Sequence, residues 1–345
     1  MDWIKIGIIA GAVAALALLL GVILFFIISR KKKKKKESEE MSLKPDIPPQ
    51  TAPLEASTTA VLGEFSIPIV DEAPVGLGEC RTEMLYPISD YAEIGLASLK
   101  GTREYQQDTA DAFISSADGD RAVGILCDGM GGMEGGEKAS ALAVSEMRRE
   151  MTAPWKEFPG NLLDILTDVN QMVHNLRDER TGRRLQAGTT LTTVIMEGNQ
   201  LYWCSVGDSR IYLFRDGRLT QLTKDHTYGD ELDELAATGQ ITRETAASTP
   251  GRAALTSYLG IPHLEKIGWN RSPEELAGGD IVLQCSDGLY RSLGKREMEY
   301  IISESLDDMQ LAARRLTATA VSKPGPHDNT TALLICYKGT AGSSI

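Results

Sequence analysis

Four apolar, strand-like runs in this chain each stop at, or start from, an aspartate set beside a small or turn-forming residue. They are Leu126-Cys127-Asp128-Gly129, Ser205-Val206-Gly207-Asp208-Ser209, Gln284-Cys285-Ser286-Asp287-Gly288 and His327-Asp328-Asn329. A single Asp-Gly pair is ordinarily a hairpin turn. Four such pieces in one region imply a sheet architecture in which strand ends gather carboxylates at one edge. Carboxylates brought close repel one another, and a bound divalent cation is the usual remedy. Ligation by oxygen alone selects Mg2+ or Mn2+ over zinc.

The surrounding texture fits a mixed domain. Val123 to Cys127 is apolar and stops at Asp128-Gly129, and Glu137 to Met151 has helical composition. Asn161 to Asp178 carries apolar residues near a 3.6-residue period, which predicts an amphipathic helix. Leu191 to Met196, Leu201 to Val206 and Arg210 to Phe214 read as strands joined by short turns, an antiparallel meander. Ile281 to Cys285 and Thr330 to Tyr337 are further strands, with helices expected at Lys295 to Ser303 and Asp307 to Ala320. No internal repeat is present.

The order of the polar motifs carries a resemblance. Arg103-Glu-Tyr-Gln-Gln-Asp108, Asp128-Gly-Met-Gly-Gly132 with Gly136-Glu-Lys-Ala-Ser140, Gly188-Thr-Thr190, Gly207-Asp-Ser-Arg210, Leu222-Thr-Lys-Asp-His226, Cys285-Ser-Asp-Gly-Leu289 and Asp328-Asn-Thr330 follow one another from about Ala92 to Tyr337. In this order they closely resemble the metal-dependent protein phosphatases of the phosphatase 2C type (PPM), in their bacterial form. The resemblance implies an α+β fold, a four-layer α-β-β-α sandwich of two antiparallel sheets flanked by helices. It implies hydrolysis of phosphoserine and phosphothreonine in proteins at two ions, Mn2+ or Mg2+. Asp128 is then expected to bridge both ions, with the Gly129 carbonyl, Asp287 and Asp328 completing the contacts and Asp108 helping to hold the site. Asp208 with Asp287 matches the place where bacterial relatives hold a third metal. Arg103 is expected to clamp the substrate phosphate.

Elementary chemistry supports that allocation. A phosphate monoester dianion repels hydroxide and hydrolyses slowly, so a catalyst must neutralise charge and supply a nucleophile at neutral pH. Two divalent ions do both, and an arginine fork matches the phosphate oxygens. Met130 stands where many eukaryotic relatives have a histidine proposed to protonate the leaving group, so no side-chain acid is assigned. Gln107 replaces an acidic residue found in other branches. Thr227 to Arg252 resembles the mobile flap of bacterial members, with substrate choice as its expected task. A catalytically silent binding module with the same fold, or a phosphatase for small phosphate esters, are the alternative functions.

The N-terminal segment is of another kind. Ile6 to Ile28 is unbroken apolar sequence, about 35 Å of helix at 1.5 Å per residue and enough to span a bilayer. Arg30 and Lys31 to Lys36 follow it, whereas a cleaved signal peptide expects its positive charge before the apolar core. The charge placement predicts a single-pass membrane anchor with the remainder cytoplasmic. The lysines can attract anionic lipid, and Gly7 and Gly11 form a GxxxG pair that would let two helices approach. Residues 1–36 thus read as anchor and polybasic stop (helix 6–28), 37–86 as a flexible linker rich in Pro, Ser, Thr and acidic residues, and 87–340 as the catalytic domain, with the flap at 227–252. The expected partners are phosphorylated proteins, a cognate serine/threonine kinase at the same membrane, and membrane lipid. The net charge of -12 argues against nucleic acid.

Two look-alike motifs are set aside. Cys285-Ser-Asp-Gly-Leu-Tyr-Arg291-Ser292 fits the CxxGxxRS spacing of cysteine-dependent phosphatases, but Cys285 ends an apolar strand and Asp287 would repel a phosphate. Gly129 to Gly136 is followed by Glu137-Lys138-Ala139, not by the Gly-Lys-Ser/Thr of a nucleotide loop. The five cysteines form no CxxC pair and fit a reducing compartment.

Overall fold

The computed structural model describes residue 69 and residues 89–114, 121–132, 135–152 and 161–339. Every described residue belongs to one compact unit, Ser66–Ile345. The expected anchor helix, the basic run and nearly all of the expected linker lie outside the described residues. Among the described residues, no helix is long and apolar enough to cross a membrane.

Elements are numbered in chain order. The first sheet contains β1 (Ala92–Leu99), β7 (Arg210–Arg215), β8 (Arg218–Gln221), β11 (Ile281–Cys285) and β12 (Thr330–Tyr337), in spatial order β1-β12-β11-β7-β8. The second contains β2 (Asp108–Ile114), β3 (Arg121–Gly131), β5 (Leu191–Glu197), β6 (Gln200–Val206) and β10 (Glu274–Glu275), in order β10-β6-β5-β3-β2. Short strands β4 (Ala187–Thr189) and β9 (Gly268–Trp269) pair with β3 and β6. Every pairing is antiparallel.

Helices α1 (Gly135–Thr152) and α2 (Leu162–His174) cover the second sheet. The first is covered by α5 (Asp287–Ser292), α6 (Lys295–Ser303) and α7 (Met309–Ser322). Between β8 and β9 lie α3 (Tyr228–Ala237) and α4 (Arg243–Ser248).

Strand periodicity explains the layers, because alternate residues of a strand face opposite sides. In β11, Ile281, Leu283 and Cys285 face Leu289, Met298 and Leu316 of the helices, while Val282 faces the other sheet. In β3, Val123, Ile125 and Cys127 face Ala143, Met147 and Leu166. The inter-sheet layer holds Ile94, Leu96, Val194, Met196, Ile211, Leu213, Leu333 and Ile335. Strands buried on both faces read as continuous apolar runs, which is why these segments do. Each fully buried Leu or Ile contributes roughly 1.5–3 kcal/mol of transfer free energy. Gln284 is the polar exception in the inter-sheet layer, and its Nε2 donates to Thr192 O at 3.1 Å and Thr192 Oγ1 at 2.9 Å across the sheets.

The four-layer α-β-β-α sandwich expected from the resemblance is the fold observed. Local expectations differ in three places. The β5-β6-β7 meander does not form: β5 and β6 pair, but β7 belongs to the other sheet, beside β11 and β8. The chain changes sheets at Gly207, whose φ of 101° is open to glycine, and a Cβ there would lie 2.6 Å from the Thr190 side chain. His226 supports this turn, its Nδ1 accepting from Gly207 N at 3.1 Å.

Strand β3 does not stop at Asp128-Gly129 but continues to Gly131 by exchanging its partner β5 for β4. The amphipathic helix expected to reach Asp178 ends at His174. Asp178 Oδ1 instead accepts from Arg180 N at 3.1 Å and Thr181 N at 2.8 Å, a local turn that competes with the helix. Ile69, the described residue of the linker piece Phe65 to Val70, packs against the helix-covered face of the first sheet.

Candidate metal centre

Topology brings the aspartates to one edge. Asp108 opens β2 and pairs in register with Asp128 in β3. In the first sheet, Cys285 at the end of β11 pairs with both Ala332 near the start of β12 and Arg210 at the start of β7. Asp287, Asp328 and Asp208 therefore leave their strands at the same end. The two sheets meet there through Asp108, whose Oδ2 accepts from Ser286 Oγ and Thr331 Oγ1, both at 2.7 Å.

Burial and mutual repulsion make this edge electrostatically expensive. Burial pushes Asp108 up to about 7, and the charges of Asp287 and Asp328 add to the shift, against the two hydroxyls that lower it. Asp128 is held well above the carboxylate range by burial first, then by Asp108, Asp287, Asp208 and Asp328. Burial raises Asp287 to about 6 although Arg291 opposes it. Asp208 is likewise raised by burial against Arg291.

The remaining contacts sort the carboxylates into pairs. Arg103 Nη2 donates to Asp328 Oδ2. Arg291 lies between Asp208 and Asp287, at 3.2 and 3.0 Å. Among the described residues, no three or more acidic, histidine or cysteine side chains form a ready-made metal cluster. The donors nevertheless fit a hard divalent ion. Asp108 Oδ1 is buried with no hydrogen-bond partner, the side-chain donor set is entirely carboxylate oxygen, and surplus negative charge is concentrated where water is scarce. Gly129 adds close backbone approach: a Cβ there would lie 2.1 Å from Gly136 O and 2.7 Å from Gln107 O.

Every one of these aspartates, and Arg103, stands in the sequence motifs, and the structure brings them to one edge. The residues that hold them come to light only in the fold. Asp128 N donates to Thr190 Oγ1 at 2.9 Å, and Asp128 O accepts from Thr190 N at 2.8 Å and Thr189 Oγ1 at 3.0 Å. Asn329 fixes the loop that carries Arg103. Its Oδ1 accepts from Gln107 N at 2.8 Å, and its Nδ2 donates to Lys100 O at 2.9 Å and Tyr105 O at 3.0 Å. Their place inside the motifs Gly188-Thr-Thr190 and Asp328-Asn-Thr330 was the available signal. Asn329→Ala is expected to lower kcat/KM about 10–100-fold, the scale of losing a group that orients a site. Steady-state kinetics with a phosphopeptide and a circular dichroism melt separate that loss from unfolding.

The set-aside cysteine motif stays set aside. Cys285 is fully buried, and burial drives its thiol far above the range in which a thiolate forms.

Comparison with known proteins agrees with this geometry. The sequence profile described as Protein phosphatase 2C matches residues 98–235. The chain is 31% identical to the serine/threonine phosphatase stp of Listeria welshimeri over 238 residues, 68% of this chain and 90% of that protein. The structure of the Streptococcus agalactiae serine/threonine phosphatase superposes with a TM-score of 0.61 at 27% identity, covering 72% of this chain and all of that one. The catalytic domain of the phosphatase PstP, crystallised with two manganese ions, matches with a TM-score of 0.58 at 28% identity, over 71% of this chain and 98% of that one. By sequence and by fold, the chain belongs to the protein phosphatase 2C family of metal-dependent serine/threonine protein phosphatases.

Proposed function

We propose that this chain hydrolyses phosphoserine and phosphothreonine in proteins at a pair of Mn2+ or Mg2+ ions, at the cytoplasmic face of a membrane to which Ile6–Ile28 anchors it. The observation that carries the site is the buried, unpartnered Asp108 Oδ1 at an edge to which Asp128 of β3, Asp287 just after β11 and Asp328 just before β12 also come. Asp128, the Gly129 carbonyl, Asp287 and Asp328 would hold the ions, with Asp108 behind them. When bound, the ions supply charge neutralisation and a water acidified toward neutral pH.

The chain's own residues divide the remaining work. Thr189 and Thr190 fix the backbone of Asp128, so its carboxylate is presented without a reorganisation cost. Arg103 has a side chain 59% exposed and can reach a phosphate from solvent. Its present partner is Asp328, so ligation by Asp328 frees the guanidinium for the substrate. Beside Met130 and Gly131 a cavity of about 260 Å³ is lined by Gln186, Ala187, Gly188 and Tyr258. Tyr258 follows the 227–252 segment closely, which supports a role for that segment in substrate choice. A serine/threonine kinase at the same membrane would supply the substrates.

A silent binding module would have no need to keep Asp108, Asp128, Asp208, Asp287 and Asp328 together. The deciding assay compares a phosphothreonine peptide with p-nitrophenyl phosphate, using the full chain in detergent, with Mn2+ or with chelator. Peptide turnover that requires Mn2+ and exceeds ester turnover in kcat/KM is expected. Preference for the ester would favour the small-ester reading, and undiminished activity in chelator would contradict the metal site.

A further inference from the structure

The family resemblance implies a third divalent ion at Asp208 and Asp287, yet a side chain of this protein stands between them. Asp287 opens α5 and Arg291 lies four residues on, so one helical turn returns the guanidinium over the carboxylate. Arg291 Nη1 meets Asp287 Oδ2 at 3.0 Å, and Nη2 donates to Asp208 Oδ2 at 3.2 Å. One planar cation bridges the two carboxylates with separate nitrogens of its fork. The Tyr290 hydroxyl donates to the same Asp208 oxygen at 3.4 Å. The Tyr290 ring in turn stacks on Arg210, whose guanidinium carbon is 3.6 Å from the ring centroid and which is forked onto Asp225. The side chains of Asp208 and Asp287 are 7% and 15% exposed, so water does little to separate their charges.

We propose that Arg291 is a built-in third cation: its guanidinium takes the position between Asp208 and Asp287, and the folded chain binds two divalent ions where three would otherwise fit. This rests on the two-ion reading above. A guanidinium tethered by one helical turn is present at an effective concentration of about millimolar or more, so an ion arriving from dilute solution must displace it. Arginine cannot shed its proton in a protein, so the position is cationic at every working pH. The displaced guanidinium would then also be left beside an added divalent charge.

Mn2+ stoichiometry of the full chain in detergent, measured by equilibrium dialysis with metal analysis, tests this without reference to turnover. Wild type and Asp208→Asn are each expected to bind two ions. Arg291→Gln is expected to bind three, the third at least about tenfold more weakly, and the Arg291→Gln, Asp208→Asn double variant two again. Melting curves confirm that each variant is folded. Three ions in wild type with one lost in Asp208→Asn would overturn the proposal, as would only two in Arg291→Gln. Fewer than two in wild type would instead overturn the two-ion reading, and this inference with it.

Discussion

Asp128→Asn is expected to lower phosphopeptide turnover by about 10³-fold or more, the upper end of what removal of one group stabilising transition-state charge costs, while making the metal-free chain more stable than wild type. The two effects share one cause. Asp128 is half-buried and faces the charges of Asp108, Asp287, Asp208 and Asp328, and desolvation and these charges together disfavour its ionised form in the fold. Asparagine keeps the shape and removes the charge. The backbone contacts with Thr189 and Thr190 do not involve the carboxylate and survive the change. Relief of repulsion should raise the melting temperature in chelator at pH 8 by about 2–4 °C for each kcal/mol gained. Kinetics in Mn2+ and melting in chelator, on the same preparation, check both halves. Lower activity with lower stability would mean that Asp128 serves the fold rather than the chemistry.

That opposition between site and stability also explains how the sequence could be read. Asp128, Asp287 and Asp328 were legible because each borders a strand-like run, at its end or just before its start, and because their order resembles a known family. The layers were legible because two-sided burial turns strands into continuous apolar segments. Other features depend on contacts between distant residues. Asp108 sits between the sheets through Ser286 and Thr331, far away in sequence. The sheet change at Gly207 looked like an ordinary turn because a glycine between two strand-like runs serves a hairpin equally well. Asp287-Gly288 stands in the sequence as the close of an apolar run, and the residues from Asp287 on form a helical turn that returns Arg291 to Asp287. Periodicity over so short a segment carries no signal, so the position of that arginine emerged only from the fold.

Removal of metal should expose the cost of the carboxylate edge as a pH dependence. Asp108 is raised from 3.8 to about 7 and Asp287 to about 6, in both cases by burial first. A carboxyl group whose folded pKa lies above its unfolded value binds more protons in the native state. Its contribution to stability is complete below the unfolded value near 3.8 and is lost as pH rises through about 6 to 7. The metal-free chain should therefore melt at a higher temperature at pH 5.5 than at pH 8. Mn2+ should reverse that order, because ligands must be deprotonated before they bind and affinity grows with pH. At a hundredfold excess over Kd, each bound ion adds about 2.7 kcal/mol, or roughly 5–10 °C for a domain of this size. Melting at both pH values, with Mn2+ and with chelator, measures the crossing. If stability in chelator rose with pH instead, the carboxylates would already be neutralised by neighbours such as Arg103 and Arg291, and an ion would have no surplus charge to relieve.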